Sequence, residues 1–297
     1  MAGHRCWHHV PVLKQELLSW LNPVAGGVYV DATLGLGGHA EALLIENHDI
    51  KRVYGFEWDE DAAEIAAERL QPFGKQFQLV HSSYSQIKTE LKLRGVDRID
   101  GLLADLGVSS LHLDKGERGF SFQKDGPLDM RMNRQRSIRA KDLVEQLAEQ
   151  ELADIFYHFG EERQARRIAR HLVEQRKKEP ILTTKQLADI VAEAVPGRYY
   201  PKKIHVATKV FQALRIAVND EFGNMKKLLT DVPDILVSEG RACIVSFHSL
   251  EDRMIKQLFK NYREYRPLTA KPIQASAQEV AQNPRARSAR LRIAERI

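Results

Sequence analysis

A short apolar strand that leads directly into a glycine-rich turn and a helix is the feature that most constrains this chain. The sequence predicts a strand over residues 27–33, a turn at Gly35-Leu-Gly-Gly-His39 and a helix over residues 39–45. Glycines let the backbone take positive φ and let a ligand approach closely. Open α/β sheets bind ligands at such turns, outside the carboxyl ends of the strands. We therefore expect a ligand site here.

The segments after this turn continue an alternation of strands and helices. Residues 53–57, 77–80 and 101–105 are predicted strands, and residues 59–70 are a predicted helix with Asp59 as its N-cap. Such an alternation is typical of a parallel sheet with helices on both faces. The predicted fold class is therefore α/β.

The alternation stops near Ser109, and strand character returns only at residues 241–247. Between them, helices are predicted at residues 161–178, 184–194 and 206–222 from their apolar periodicity. The simplest organisation is a sheet domain with an inserted, mainly helical domain. The predicted divisions are residues 1–110 (sheet domain, first part), 111–215 (inserted domain) and 216–297 (sheet domain, second part and a basic tail).

The composition excludes several classes of protein. Hydrophobic residues make up 43% of the 297 residues, enough for a buried core. No apolar run approaches the roughly 20 residues that span a bilayer, and no signal peptide is evident, so we expect a cytoplasmic protein without a membrane partner. The two cysteines, Cys6 and Cys243, lack the spacing of a metal site, so neither a disulfide nor a metal ion is expected. Cys243 is interpreted as a core residue.

Positive charge is concentrated in three segments, residues 131–141, 163–178 and 285–296, while the net charge is only +5. Three such segments favour a nucleic-acid partner. An arginine face on one helix and the arginines of the tail are predicted phosphate contacts, although a solvated role is the alternative for each one. They are Arg163, Arg166, Arg167 and Arg170, and Arg285, Arg287, Arg290 and Arg292.

An acidic residue follows the second strand. Glu57 lies 20 residues after Gly37, where a carboxylate can accept hydrogen bonds from the ribose hydroxyls of an adenosine. Both a nicotinamide dinucleotide and S-adenosylmethionine fit this arrangement, because Ala40 at the last position of the glycine pattern is an allowed variant. The alternative is a tight structural turn with a solvated Glu57.

A second carboxylate, Asp105, ends the fourth strand and is predicted to reach the same crevice. The exocyclic amine of a base is a poor nucleophile, and an acceptor beside it can polarise it and take its proton. Asp105 therefore favours methyl transfer to an amine, with S-adenosylmethionine as the cofactor. The alternative role for Asp105 is an N-cap of the following segment, and the two roles are compatible.

Seven long segments together resemble the MraW/RsmH family of methyltransferases, and the resemblance runs from His9 to the tail. They are Asp31–His39, Asp105–Ser110, Glu117–Phe122, Gly126–Met132, Phe211–Asn219, Ser246–Arg253 and Asn283–Ser288. The family methylates the N4 amine of a cytosine in the decoding region of small-subunit (16S) ribosomal RNA. The resemblance thus implies a Rossmann-like S-adenosylmethionine-dependent sheet with an inserted helical domain that recognises the substrate. Small-subunit RNA, within an assembled or nearly assembled subunit, is the implied partner; the oligomeric state stays open, with a homodimer as one option.

The resemblance also implies cofactor-binding positions. Together with Gly35 of the turn, they are Gly37, Gly38, His39, Glu57, Tyr84, Asp105 and His112. Three of these depart from the family pattern: Glu57 replaces Asp, Tyr84 replaces Phe, and Leu111-His112 replaces Pro-Gln. The segment His205-Val-Ala-Thr-Lys209 likewise replaces His-Pro-Ala-Thr-Arg. The catalytic residue is expected to be Asp105.

Six further residues are predicted substrate contacts, each with a structural alternative. Arg118 and Phe120 could stack on a flipped base, or Phe120 and Phe122 could anchor this loop to its own domain. Asp129 and Arg131 could contact base edges or pair with each other. His248 and Ser249 could contact the base or the RNA backbone, or Ser249 could cap the following helix.

The sequence leaves three functional hypotheses. The first is an RNA cytosine N4-methyltransferase that uses direct in-line transfer. The second is a nicotinamide-dependent oxidoreductase, which the glycine turn and Glu57 alone would allow. The third is a non-catalytic ribosome-assembly factor that binds RNA through its basic insertion; the glycine turn and Asp105 argue against it.

Overall fold

A seven-stranded sheet forms the centre of the protein. The computed structural model describes residues 11–297, so Cys6 and the start of the family resemblance at His9 lie outside the described residues. The strand order is β3-β2-β1-β4-β5-β7-β6. The strands are β1 (Val28–Asp31), β2 (Arg52–Phe56), β3 (Phe77–Val80), β4 (Ile99–Asp105), β5 (Leu236–Ser246), β6 (Tyr265–Pro267) and β7 (Arg290–Arg296).

Thirteen α-helices are described; α1 precedes the first strand, and the others connect or follow the strands. The helices are α1 (Lys14–Leu21), α2 (Gly38–Glu46), α3 (Glu60–Leu70), α4 (Ile87–Leu93), α5 (Ser110–Asp114), α6 (Ala140–Gln146), α7 (Glu149–Gly160), α8 (Ala165–Arg176), α9 (Thr184–Ala194), α10 (Thr208–Asn219), α11 (Glu221–Ile235), α12 (Ser249–Asn261) and α13 (Ala277–Gln282). As predicted, Asp59 caps α3, and its side chain accepts the Asp61 N–H at 3.0 Å.

The order of the strands creates one switch point. From β1 the chain moves outward through β2 and β3 on one side, and through β4 and β5 on the other. All these neighbours are parallel, whereas β7 is antiparallel to both β5 and β6. The carboxyl ends of β1 and β4 therefore meet where the strand order reverses, which is where open α/β sheets bind ligands. The expected Rossmann-like α/β sheet is confirmed.

Contacts divide the chain into two compact units. The first unit contains the residues up to Gly107 together with Gly223–Ile297, and it holds all seven strands. The second unit is Val108–Phe222 and contains α5 to α10. Its core side chains, which include Phe156, Ile168, Leu187 and Leu214, are fully buried.

Two predicted helices are interrupted in the structure. The helix predicted over residues 161–178 begins only at Ala165, because α7 ends at Gly160 and Glu161 takes a left-handed φ of 49°. The helix predicted over 206–222 ends at Asn219, and Asp220 takes the same φ. Neither residue is a glycine, so the sequence carried no simple signal for these ends.

The prediction of a basic tail over residues 285–296 is wrong for residues 290–296, because these residues form β7 between β5 and β6 of the sheet. Arg292 is buried, and its guanidinium binds Asp252 of α12 through Nε at 2.5 Å and Nη2 at 3.2 Å. Arg290 reaches the same carboxylate at 3.3 Å. The prediction that Arg292 contacts phosphate is therefore corrected: its positive charge is neutralised within the protein.

Cys243 lies at the centre of β5 and is fully buried, as predicted for a core residue. Burial raises the pKa of its thiol to about 12. A thiol of this kind is protonated at neutral pH and is a poor nucleophile. Within residues 11–297, no helix combines the length and apolar character that crossing a membrane requires.

Replacement of Asp252 tests how strongly its ion pair fixes β7. Asp252→Ala leaves the buried Arg292 charge without a partner, so we expect the free energy of unfolding to fall by about 3–5 kcal/mol in urea denaturation. The matched control is Asp231→Ala, which breaks the exposed Lys227–Asp231 pair of α11. That change should cost only about 0.3–0.5 kcal/mol. Equal effects of the two substitutions would contradict a structural role for the Asp252 pair.

Candidate active site

The glycine turn lies at the carboxyl end of β1 and leads into α2. Gly35 and Gly37 have φ of 52° and 81°, which L-residues with side chains rarely adopt. A Cβ at Gly37 would lie 3.0 Å from Leu70 Cδ1, so Gly37 also permits close packing of α3. A Cβ at Gly35 would meet nothing within 3.8 Å. Gly35 is therefore the position of the turn that faces open space.

Glu57 directly follows β2 and holds the glycine turn in place. One carboxylate oxygen accepts the Gly35 N–H at 2.9 Å, and the other accepts the Trp58 and Asp59 N–H groups at 2.8 Å each. A carboxylate has about four acceptor positions, so the oxygen that binds Gly35 can accept one more donor. Burial raises the pKa of Glu57 to about 7, against the opposing effect of these hydrogen bonds. The alternative interpretation of Glu57 as a solvated side chain is therefore wrong, and its carboxylate keeps an acceptor position for a ligand.

Three ionisable side chains meet at the switch point: Asp31 of β1, His39 of α2 and Asp105 of β4. His39 Nε2 lies 3.5 Å from Asp105 Oδ2, and both groups are largely buried. Thr33 ties the two strand ends together, because its hydroxyl accepts the Asp105 N–H at 2.6 Å. Burial raises the pKa of Asp31 to about 7, and His39 partly offsets this. Asp31 was not singled out by the sequence, since its neighbours in this cluster come from other elements.

Several atoms of this cluster lack partners. Asp31 Oδ2, His39 Nδ1 and Asp105 Oδ1 are buried and form no hydrogen bond in the described part of the chain. Buried polar atoms of native proteins are normally hydrogen-bonded, so unpaired ones at a ligand edge indicate a polar ligand. Two carboxylates beside one histidine favour a ligand with positive charge. The side chains of residues 11–297 form no group of three or more His, Cys, Asp or Glu that could hold a metal ion.

Tyr84 also lies near this edge of the sheet. It begins a short helical turn, four residues after β3 ends at Val80, and it is half-buried. An aromatic ring at this position can form one wall of an adenine site. Its predicted contact with the cofactor remains a prediction.

In the second unit, His112 and Phe120 pack on each other. Their ring centroids are 4.6 Å apart at an interplanar angle of 25°, and both side chains are buried. His112 Nδ1 accepts the Ser109 N–H at 3.2 Å, at the start of α5. Ser109 is the N-cap of this helix, so the alternative interpretation of Asp105 as a cap is wrong. The cofactor contact of His112 remains a prediction.

Arg118 is almost completely buried. Its Nη2 donates to the carbonyl oxygens of Arg131 and Met132, at 3.0 and 2.8 Å. In this arrangement Arg118 stabilises the loop around Met132, and Phe120 anchors its loop through His112. The structure thus favours the structural interpretation of both residues. Direct contact of Arg118 or Phe120 with a base remains a prediction.

Asp129 and Arg131 form a bidentate pair, with both N–O distances at 2.8 Å. Burial opposes ionisation of Asp129, but the hydrogen bonds from Arg131 outweigh it and lower the pKa of Asp129. Arg131 Nη1 also donates to the carbonyl oxygens of Arg134 and Arg136. The structure therefore shows the alternative arrangement, in which these two residues pair with each other. Their contact with a base edge remains a prediction.

His248 and Ser249 follow β5 at the start of α12. The N-cap is His248 and not Ser249, because His248 Nδ1 accepts the Glu251 N–H at 3.4 Å. His248 Nε2 also lies 3.1 Å from Glu251 Oε1. The expected cap at Ser249 is thus corrected, and the substrate contacts predicted for both residues are not tested by this geometry.

The comparison with known protein families decides between the chemistries that this site allows. The model of the MraW methylase family matches residues 6–297. The chain belongs to the MraW methylase family. It is therefore a methyltransferase with S-adenosylmethionine as its cofactor, as the sequence predicted, and the hypothesis of a nicotinamide-dependent oxidoreductase is set aside.

Known relatives of this MraW methylase match over almost the whole chain. A protein from Desulfotalea psychrophila named Ribosomal RNA small subunit methyltransferase H is 50% identical over 97% of this chain and 98% of its own. A protein of the same name from Geotalea uraniireducens is 44% identical over 98% of this chain and 99% of its own. The solved structure of an rRNA methylase from Streptococcus thermophilus aligns with 96% of this chain and 93% of its own, at 11% identity and a TM-score of 0.44.

The residues of the site fit the cofactor of a MraW methylase. Glu57 has one acceptor position left for a ribose hydroxyl, and Gly35 leaves space for an adenosine beside the turn. Asp31 Oδ2, which has no partner within residues 11–297, suits the sulfonium charge of S-adenosylmethionine, and Asp105 Oδ1, equally unpaired there, is left as an acceptor for the group that receives the methyl. These buried, unpaired oxygens are the observation on which the fit depends.

The pKa of Glu57 predicts how cofactor affinity varies with pH. With a pKa of about 7, the carboxylate is about one-tenth ionised at pH 6 and about nine-tenths at pH 8. The ionised form is the better acceptor for a ribose hydroxyl. We therefore expect affinity to rise up to about 10-fold between pH 6 and pH 8. The affinity is measured by calorimetry with S-adenosylhomocysteine. Because this compound lacks the sulfonium charge, titration of Asp31 has less effect on the measured affinity.

Glu57→Gln should bind S-adenosylhomocysteine more weakly and should lose most of this pH dependence. The matched control is Glu60→Gln, an exposed residue of the first turn of α3, which should keep the wild-type profile. An unchanged pH profile in Glu57→Gln would show that Glu57 does not contact the ribose.

Proposed function

We propose that this MraW methylase transfers a methyl group from S-adenosylmethionine to the N4 amine of a cytosine in the decoding region of small-subunit (16S) ribosomal RNA. Membership of the family and relatives named for small-subunit ribosomal RNA support the substrate class. The choice of cytosine N4 follows from the family resemblance. The observation that supports transfer to an amine is the buried, unpaired Asp105 Oδ1 at the switch point.

Asp105 is proposed as the catalytic residue. The lone pair of a cytosine amine is delocalised into the ring, so the amine needs an acceptor that polarises it and then takes its proton. The Asp105 backbone N–H is fixed by the Thr33 hydroxyl, and Asp105 Oδ2 faces His39 at 3.5 Å. Asp105 Oδ1 is then the atom left to accept a hydrogen bond from the amine. A rigid carboxylate keeps the amine aligned for in-line attack.

The remaining site residues are proposed to hold the cofactor. Gly35, Gly37, Gly38 and His39 would surround it at the turn, and Glu57, Tyr84, Asp105 and His112 would complete the binding positions that the resemblance implies. When bound, S-adenosylmethionine supplies an activated methyl group on a sulfonium. The unpaired Asp31 Oδ2 places a further negative group near that charge, because Asp31 ends the strand that leads into the turn.

The second unit is proposed to recognise the RNA, as are Arg118, Phe120, Asp129, Arg131, His248 and Ser249. An assembled or nearly assembled small subunit is the proposed substrate, and the cytoplasm is the proposed location. We also propose that activity needs no metal ion. A homodimer remains one option for the oligomeric state.

Asp105→Asn tests the proposed catalytic role, because the amide keeps the shape of the carboxylate but cannot take a proton. We expect methyl transfer to small subunits to fall by about 100- to 10,000-fold, the range attributed to general bases. Transfer of labelled methyl groups, followed by mapping of the modified base, measures the effect. Binding of S-adenosylhomocysteine is measured in parallel, so that loss of cofactor affinity is separated from loss of turnover.

The matched control is Asp97→Asn, which alters an exposed aspartate between α4 and β4 and should leave turnover unchanged. Turnover of Asp105→Asn within a few-fold of wild type would rule out Asp105 as the proton acceptor. If the wild type modified a different base or a different RNA, the proposed substrate would be wrong. This would hold even if Asp105 proved essential for turnover.

A further inference from the structure

Helices α7, α8 and α9 of the second unit border two clefts, one lined by residues of α7 and α8 and the other by residues of α8 and α9. The first cleft has a volume of 620 Å³ and the second of 570 Å³, and Arg166 and Arg167 line both. Each volume falls within the range of about 300–1,000 Å³ typical of ligand sites. We call this surface the arginine groove. Its charged and aromatic lining is Asp154, Tyr157, His158, Arg163, Arg166, Arg167, Arg170, His171, Glu174 and Glu193.

The arginines of this groove are exposed, and only some of them have partners. Arg163 and Arg166 form no ion pair or hydrogen bond within residues 11–297. Arg167 donates a hydrogen bond from Nε to the Ala194 carbonyl oxygen at 2.5 Å, and the residue as a whole is exposed. Arg170 approaches Glu149 at 3.6 Å, but its side chain is 69% exposed. The groove therefore presents guanidinium groups that can bind an anion.

These positive charges repel one another within the free protein. Arg166 and Arg170 are four residues apart on α8, and like charges at this spacing destabilise a helix. No acidic residue occupies the first turn of α8 to offset them. An anion bound between the guanidinium groups would remove this repulsion, and guanidinium forks suit phosphate oxygens in particular.

An exposed tyrosine lies in the same groove. Tyr157 of α7 is 59% exposed, and it lines the first cleft together with Arg163 and Arg166. Its ring and that of His158 form a T-shaped pair, with centroids 5.1 Å apart at 83°, and more than half of the tyrosine stays exposed. Aromatic faces beside arginines are the arrangement on which unpaired bases of single-stranded nucleic acids stack.

Three carboxylates also line the groove: Asp154, Glu174 and Glu193. Carboxylates repel the phosphates of a duplex, and the deep, narrow major groove of an RNA duplex keeps most base edges out of their reach. An unpaired base, however, exposes amine donors from which a carboxylate can accept hydrogen bonds. The mixture of arginines, carboxylates and a tyrosine therefore fits a single strand better than a duplex.

We propose that the arginine groove binds a single-stranded segment of the substrate RNA. Arg163 and Arg166 contact phosphates, and Tyr157 stacks on a base. This proposal rests on the proposed function, since it takes RNA as the substrate. The groove belongs to the second unit and supplies affinity for RNA, whereas the chemistry takes place at Asp105.

The test uses the full chain and a fluorescein-labelled RNA oligonucleotide of about 20 nucleotides with the decoding-region sequence. Each phosphate contact on a single strand contributes about 0.7 to the slope of log affinity against log salt. The double variant Arg163→Gln/Arg166→Gln should therefore lower this slope by about 1.4. At 0.1 M salt its affinity should be about 25-fold weaker than that of the wild type.

The charge-matched control is Lys92→Gln/Lys226→Gln, which removes two exposed lysines of the first unit. It should leave the affinity within about two-fold of wild type and the salt slope unchanged. Both double variants alter exposed side chains, so their thermal unfolding should match the wild type, which separates RNA binding from folding.

Tyr157 gives an independent measurement. Tyr157→Ala should weaken binding of the oligonucleotide by roughly 5- to 150-fold, which corresponds to about 1–3 kcal/mol for a stacked base. Its salt slope should equal that of the wild type, because no charge is removed. Tyr157→Phe keeps the ring and should restore the affinity, a result that loss of helix packing would not produce.

Wild-type affinity and salt slope in the double arginine variant would overturn the proposal. Methyl transfer by the wild type to small subunits would still stand in that case, so failure of the groove and failure of the proposed function are distinguishable. If the double variant bound the oligonucleotide normally but lost affinity for the intact subunit, the groove would contact a ribosomal protein and the RNA proposal would also be overturned. In the expected result, the KM for small subunits rises while kcat is kept, because the groove does not touch the reacting atoms.

Discussion

The pairing of β1 with β4 is the constraint on which the site depends. These strands are parallel neighbours, with Asp31 opposite Leu103, and the strand order reverses between them. Their carboxyl ends therefore bring together two carboxylates that are far apart in sequence. The Thr33 hydroxyl locks this arrangement through the Asp105 N–H. Everything else at the site, from the turn at Gly35 to the position of His39, is built onto this pair of strand ends.

The central part of the fold was predictable because local signals and the final structure agree there. The strand at residues 77–80 and the helix of residues 184–194 occur as predicted, since turn residues and caps mark their ends. The segment 290–296 was not recognised as a strand. It alternates charged and apolar residues, as a half-buried strand does, but its arginines suggested a solvated tail. The carboxylate of Asp252, which neutralises Arg292, lies 40 residues away, and no local pattern reveals that pair.

The predicted functional residues of the two units could be predicted from the sequence to different degrees. The glycine turn, Glu57 and Asp105 follow strand ends, and the edge of a parallel sheet brings strand ends together. Asp31 was missed because its importance arises from burial beside Asp105, which only the folded sheet creates. In the second unit, the sequence predicted that Arg118 contacts RNA, but in the structure its guanidinium donates hydrogen bonds to two backbone carbonyl oxygens of the protein. Whether an arginine can bind a phosphate depends on whether its guanidinium is exposed and unpaired. For a residue in a loop, sequence periodicity does not predict this.

The position of β7 has a consequence for synthesis of the chain. This strand lies between β5 and β6, yet it follows both of them in sequence. Until residues 290–296 leave the ribosome, one edge of β5 stays open, and that edge belongs to the apolar segment Ala242–Val245. Open apolar strand edges are the sites at which nascent chains associate with one another. The growing polypeptide therefore carries an aggregation-prone edge from the time residues 242–245 leave the ribosome until β7 pairs with them, and a chaperone would protect the chain most during that interval.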